Sequence, residues 1–408
     1  MNVLIVGQGG VTREFRHWPE RVLALALARR GHTVWSIGTF DRTRTALATR
    51  DEQIEGVQVY RVRSAYWPNG ELARALRRGP RPDIIHFMHP RNVLAAQTTA
   101  WALKQRIPTV YTWLGPFHDH YLAPDRERPF EVAPTYERLI FSRLALLRRL
   151  PIERAPRDLI RNYRLHWPLR MATALAPCSE FEAGMMRKLG MHQPQTMIPL
   201  WIDDQSIRTT PRIPPPLSQP RPWLLFVGQI TPRKGYDLAV RALPTILAQY
   251  PTATLLVVSG LNQAQRSELL QLAGQLGVER HIEMLGFLPD AELVNLFRAS
   301  DTLLFPTRYE GFGLPLLEAM AAECPIVTTD IPVVREIVTD QQNGLLVAPN
   351  DAVALAKATL QLLDTPALRQ KLIAGGQATL RTRFAEATLA PQIEQFYRDV
   401  VAGAPRHG

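Results

Sequence analysis

From Pro211 to Pro222, six of the twelve residues are proline. That density admits neither a helix nor a central strand, because each proline removes a backbone donor and fixes φ. The stretch divides the chain into two halves with one shared grammar: a short apolar run, a turn rich in glycine, then a helical stretch. In the first half Val3–Val6 reads as a strand leading into Gly7, Gly9 and Gly10. A helix follows over 19–30, with proline at its start and Gly31 placed to end it. Thr33–Ile37, Gly56–Val62, Asp83–Met88 and Thr109–Thr112 read as further strands. Beyond the prolines the series restarts with Trp223–Val227, Thr254–Ser259, His281–Leu285, Thr302–Phe305 and Ile326–Thr328, and it closes on a helix over 391–400. Strands alternating with helices give a mainly parallel sheet covered on both faces. The expectation is an α/β chain of two doubly wound, Rossmann-like domains, 1–210 and 223–388, facing each other across a cleft and joined by a stiff linker at 211–222. The terminal stretch 389–408 is expected to pack back towards the first domain.

Charge is spread unevenly over these halves. Of 48 basic and 37 acidic side chains, residues 1–208 hold 31 and 19, which leaves the remainder nearly balanced. A basic half suggests an anionic counterpart, such as a membrane surface, a phosphate-bearing substrate or nucleic acid. Nucleic acid is the weak member of that set, because the arginines are scattered and no recognition module accompanies them. Residues 125–170 hold eleven arginines. They read either as a membrane-docking segment or as an ordinary helical insertion with solvated arginines, and they do not align on one helical face. Cys178 and Cys324 are the only cysteines, so neither a disulfide framework nor a cysteine-based zinc site is available. No run of about 18 apolar residues could cross a bilayer, and the opening residues lack the basic region of a signal peptide. The expected location is the cytoplasm, with contact to the inner face of the membrane at most.

Three motifs carry chemistry. Gly7-Gln-Gly-Gly-Val-Thr12 follows the first strand but has Thr12 where a dinucleotide fingerprint needs glycine. Gly9 and Gly10 then serve either the close approach of a phosphate or sugar or simply a tight turn. Phe226-Val-Gly-Gln-Ile-Thr-Pro-Arg-Lys-Gly235 sets Arg233 and Lys234 between a strand and a helix. Two cations near a helix N-terminus favour a diphosphate, and a solvated loop is the plainer reading. Pro306-Thr-Arg-Tyr-Glu310-Gly-Phe-Gly-Leu-Pro-Leu-Leu-Glu318 follows the strand Thr302–Phe305. Gly311 and Gly313 leave backbone amides, through Phe312 to Leu314, just ahead of a helix, where an anion is held without a metal. Glu318 lies one turn into an apolar helix, as a partner for sugar or ribose hydroxyls or as a complement to the helix dipole.

From Phe226 to about Leu363 the chain resembles the nucleotide-sugar-binding domain of the GT-B glycosyltransferases, specifically glycosyltransferase family 4. The resemblance rests on the Pro-Arg-Lys-Gly235 turn, Gly286–Asp290, Ala299–Asp301, Glu310 and Glu318 with seven residues between, Glu336, and Asn343–Pro349. The first half resembles the family through its opening strand, its glycine loop and Arg30-Gly-His32. The resemblance implies a retaining transferase that uses a nucleoside-diphosphate sugar, with no metal ion or other cofactor. It implies that Lys234 neutralises the departing diphosphate, that Glu310 approaches the donor sugar, that Glu318 holds the ribose, and that the amides of Gly311 to Leu314 face sugar and phosphates. The acceptor would be a glycan, a lipid-linked glycan or a small molecule, taken up by the basic half.

Three positions depart from the family pattern. Gln229 stands where an arginine usually partners the lysine, and Arg233 offers a charge four residues on. Leu114 stands where a histidine is usual, with His118 and His120 following. Glu323 replaces a small residue before Cys324-Pro325. Gln229 and Leu114 motivate an alternative, a catalytically impaired sugar-nucleotide-binding or scaffold protein on the same fold.

Overall fold

The computed structural model describes residues 1–14, 16–63, 70–88, 92–113, 147, 167–188, 190–260 and 262–404. The arginine-rich stretch over 125–170 lies almost wholly outside them, as do Leu114, His118 and His120. The chain forms two compact units. The first runs to Ile202 and includes Glu386 onward, and the second holds Asp203–Ala385.

In the first unit β1 (Asn2–Val6), β2 (Thr33–Thr39), β3 (Asp51–Ile54), β4 (Val57–Val62), β5 (Ile84–Met88), β6 (Thr109–Thr112) and β7 (Ala174–Leu175) form one sheet in the order β3-β4-β2-β1-β5-β6-β7. All pairings are parallel except β3 with β4. The central strands are apolar almost throughout, as strands covered on both faces must be: every residue of β5 is buried. Strand β3 was not expected from its composition, because Asp51 and Glu52 make it polar and it lies at the sheet edge.

Helix α1 (Pro19–Arg29) starts at its proline, and Gly31, at φ 85°, turns the chain into β2. The glycines after β1 are demanded by packing. A Cβ on Gly9 would fall 1.7 Å from the Trp18 ring, and one on Gly10 would fall 3.1 Å from the backbone of Gly38. The terminal helix, Glu386–Gly403, belongs to this unit and runs through Pro391. It buries Leu389, Ile393, Phe396, Tyr397 and Val400, and this apolar face outweighs the single ladder bond that proline removes. Tyr397 donates to Nδ1 of the buried His86, whose Nε2 lies 2.8 Å from Thr112 Oγ1. The Thr112 hydroxyl donates to the Ala176 carbonyl at 2.9 Å, so His86 must carry its proton on Nε2.

The second unit is a six-stranded parallel sheet of β8 (Trp223–Val227), β9 (Thr254–Val258), β10 (Ile282–Gly286), β11 (Thr302–Phe305), β12 (Ile326–Thr329) and β13 (Leu345–Val347). Their order is β10-β9-β8-β11-β12-β13. Its core is built from alternating strand residues and the buried face of the helix Tyr236–Gln249, including Leu224, Phe226, Leu243, Ile246, Leu255 and Val257. Residues 211–222 have no regular structure and are fastened to this unit. Asn295 Oδ1 accepts from the Ile213 amide at 3.3 Å, and Arg221 pairs with Asp301 at 3.1 Å. Both sheets wind outward from a central pair, β1 with β5 in one and β8 with β11 in the other. In open α/β sheets, ligands bind at the carboxyl ends of such a pair.

Candidate active site

The loops that leave β8 and β11 therefore flank the switch point of the second sheet, and they carry two of the three motifs. After β8 the chain passes Gly228, at φ 155°, and makes a single 3₁₀ turn over Pro232–Lys234. Gly235, at φ 70°, then opens the helix Tyr236–Gln249. No other residue fits there, because a Cβ would lie 1.9 Å from the Pro306 carbonyl oxygen. The close approach of the two loops brings together charges 76 residues apart in sequence.

Lys234 Nζ donates to Glu310 Oε1 at 2.5 Å, and Arg233 Nη1 lies 3.7 Å from Glu310 Oε2. Thr307 Oγ1 reaches the same carboxylate at 3.1 Å, and Arg233 Nη1 also donates to the Tyr309 carbonyl at 3.0 Å. Side-chain exposures of 12%, 13% and 7% for Arg233, Lys234 and Glu310 mean that water contributes little to holding these charges. Burial lowers the Lys234 ammonium pKa, and the Glu310 carboxylate works against that lowering. For Glu310, burial opposes ionisation, yet the Lys234 and Arg233 cations hold its carboxyl below the ordinary range. Two cations thus share one carboxylate and keep a surplus positive charge at the sheet's switch point. The Lys234 ammonium also sits 5.5 Å from the centre of the Phe305 ring.

The remaining expected site residues fall in three places. Gly313, at φ 109°, precedes the helix Leu314–Ala321, which carries Glu318 on its second turn. Glu318 is half-buried and its side chain has no hydrogen-bond or ion-pair partner among the described residues; burial, with a smaller contribution from Asp290, pushes its carboxyl up to about 7. The Phe312 side chain turns inward, edge-on to Phe384 with ring centroids 6.0 Å apart, so only its main chain is available to a ligand. Gln229 is exposed and its side chain joins neither Lys234 nor Glu310. Arg233 is the second cation of the cluster. Gly9 and Gly10 lie in the other unit, packed as described above. No group of three or more metal-ligating side chains occurs among the described residues.

Thr307, Arg308 and Asp237 were not expected as site residues. Arg308 forms a two-point pair with Asp237 at 2.6 and 2.7 Å. Their 71-residue separation gives no local spacing to read, although Arg308 lies within the motif that follows β11.

Two Rossmann-like, mainly parallel sheets in one chain, the second with its cations at the switch point, define the GT-B class of fold. The family models agree. Residues 209–379 match "Glycosyl transferases group 1", and residues 21–206 match "Glycosyltransferase Family 4". The chain belongs to the family 4 glycosyltransferases of the GT-B fold. It is 34% identical over 174 residues to the glycogen synthase of Mycobacterium tuberculosis, an alignment that spans 43% of this chain and 42% of that protein. In fold it is similar to the sucrose-phosphate synthase of Thermosynechococcus elongatus, with a TM-score of 0.72 at 22% identity over 98% of this chain and 99% of the other. It is also similar to HepE of Anabaena, solved in complex with UDP-glucose, with a TM-score of 0.68 at 19% identity over 98% and 100% of the two chains. Among the described residues no helix is long and apolar enough to cross a membrane.

Proposed function

We propose that this glycosyltransferase moves a sugar from a nucleoside-diphosphate donor to an acceptor hydroxyl with retention at the anomeric carbon, and without a metal ion. The observation that carries the reading is the buried Lys234–Glu310–Arg233 cluster at the switch point. In the transfer the bond from the anomeric carbon to the diphosphate oxygen breaks, and a bond to the acceptor oxygen forms on the same face. The acceptor's proton passes to the departing diphosphate. Negative charge grows on that leaving group, and cations already fixed in place stabilise it without reorganising. Lys234 and Arg233 supply this charge, and the amides from Gly311 to Leu314 supply hydrogen bonds. Glu310 keeps the two cations aligned before the donor arrives and approaches the sugar once it is bound. Glu318 accepts from the ribose hydroxyls, with both oxygens and most strongly in its ionised form.

The UDP-glucose bound to HepE supports uridine nucleotides as the first candidates for this chain. The acceptor is a glycan, lipid-linked or small-molecule hydroxyl compound received by the basic first half, with an anionic membrane surface as its setting. Incubation with α-linked UDP-glucose, GDP-mannose and ADP-glucose in EDTA, followed by proton NMR of the released or transferred sugar, tests the mechanism. An α-configured initial product from one donor is expected. A β-configured product, or turnover abolished by EDTA and restored by magnesium, would overturn retention or metal independence respectively.

A further inference from the structure

The cluster leaves open what holds its two cations in register. Both side chains project from one 3₁₀ turn, Pro232–Lys234, which has no side-chain cap of its own. The carbonyls of that turn are instead taken by a residue from the other loop. The Arg308 amide donates to the Arg233 carbonyl at 2.8 Å, and Arg308 Nη1 donates to the Pro232 carbonyl at 2.5 Å. The same guanidinium makes its two-point pair with Asp237 in the first turn of the following helix, and Nε donates to Asn350 Oδ1 at 2.5 Å. All three guanidinium nitrogens are engaged, and the charge is answered by Asp237. Side-chain exposures of 13% for Arg308 and 23% for Asp237 leave the pair little contact with solvent. Arg308 is therefore not available as a third cation for the ligand. It joins four segments: its own loop, the cation-bearing turn, the helix start at Asp237 and the loop at Asn350. Glu310, which pairs with both cations, lies two residues further along the same loop.

We propose that Arg308 and Asp237 act as a positioning pair that fixes Arg233 and Lys234 at the spacing of a diphosphate, and so sets the preference for a nucleoside diphosphate over the monophosphate. This rests on the reading of the cluster given above. A guanidinium is needed because its planar fork serves four acceptors, both Asp237 oxygens, the Pro232 carbonyl and Asn350 Oδ1, whereas an ammonium has three donors on one nitrogen.

Calorimetric titration of the holo-competent full chain tests it. The probes are the one nucleoside diphosphate of UDP, GDP, ADP and CDP that binds the wild type, and its monophosphate. Arg308→Gln and Asp237→Asn should each weaken the diphosphate at least tenfold and change the monophosphate less than twofold. The double variant should lose no more than the worse single variant, because both break one clamp. Arg308→Lys should recover only part of the loss. A merely structural role would weaken both nucleotides alike, and that result overturns the proposal, as does a diphosphate-to-monophosphate ratio unchanged in Asp237→Asn, the milder substitution. Lys234→Met serves as the reference. If it weakens the diphosphate and the Arg308 and Asp237 variants do not, the positioning role alone fails. If it has no effect, or no nucleoside diphosphate binds the wild type, the cluster reading fails and the positioning role with it.

Discussion

Replacing Lys234 by methionine should damage the protein before any substrate is added. The ammonium and the Glu310 carboxylate are 2.5 Å apart with side-chain exposures of 13% and 7%. Removing one member of such a buried pair strands the other, at a cost of about 3–5 kcal/mol. Arg233, at 3.7 Å from the second carboxylate oxygen, remains as a partial counter-charge and places the expected loss near ~3 kcal/mol, the lower end of that range. Removing both charges together, as Lys234→Met with Glu310→Gln, should recover part of that loss, because no uncompensated carboxylate is then buried, while Arg233, at 12% exposure, loses its counter-ion and keeps its bond to the Tyr309 carbonyl. Urea unfolding of the wild type, Lys234→Met, Glu310→Gln and the double variant, followed by circular dichroism, measures the coupling between the two sites. A neutral Lys234→Met, or a double variant no more stable than that single variant, would refute the claim that these charges depend on each other in the unliganded protein. The pH dependence has a defined sign. The folded Glu310 carboxyl titrates below its ordinary range, so the pair's contribution is present above the unfolded pKa and is lost as pH falls through the folded value.

Other expectations follow from single residues. Nucleoside-diphosphate affinity should rise between pH 6 and 8 as Glu318, raised to about 7, ionises to accept the ribose hydroxyls, and Glu318→Gln should flatten that rise; an identical profile in the variant contradicts the assignment. Glu20, buried at 2% exposure behind the Gly7 turn, is likewise raised to about 7 by burial. Its folded pKa lies above the unfolded one, so its contribution is complete below pH 4.5, falls as pH rises through 7, and is flat beyond. Glu20→Gln should match wild type near pH 4.5 and exceed it near pH 8 by on the order of 3 kcal/mol in urea unfolding. Tyr397→Phe leaves the buried His86 Nδ1 without its donor and should cost about 1–3 kcal/mol. A change below 0.5 kcal/mol in the same assay would show that the bond carries nothing, since surface changes of that size are routine.

Legibility in the sequence followed burial and locality. Trp223–Val227 and Thr302–Phe305 are legible with their observed bounds because strands covered on both faces are continuous apolar runs ended by glycine or proline. Strand β3 escaped because its alternation is polar, and β13 because three residues give no period to measure. In the sequence Pro391 reads as the start of the terminal helix, whereas the helix begins at Glu386; a single missing ladder bond in the second turn is tolerated where so much apolar surface is buried. At the site, Arg233, Lys234 and Glu310 were visible because each lies in a loop immediately after a strand. What the sequence did not show is their mutual arrangement. The Arg308–Asp237 clamp and the Thr307 contact arise only when two loops meet across the switch point. The opening glycines leave two readings, a tight turn or the close approach of a ligand, and the packing of Gly9 on Trp18 and Gly10 on Gly38 requires glycine under either.

The central claim is that the Lys234–Glu310–Arg233 cluster receives the diphosphate of a sugar nucleotide. Calorimetric titration of wild type and Lys234→Met with UDP, GDP, ADP and CDP in EDTA tests it most directly. One nucleotide is predicted to bind the wild type in EDTA and to bind the variant at least tenfold more weakly, since a charge-assisted hydrogen bond worth about 1.5–3 kcal/mol is removed. Equal affinity for the two proteins, or no binding of any of the four to the wild type, would contradict it.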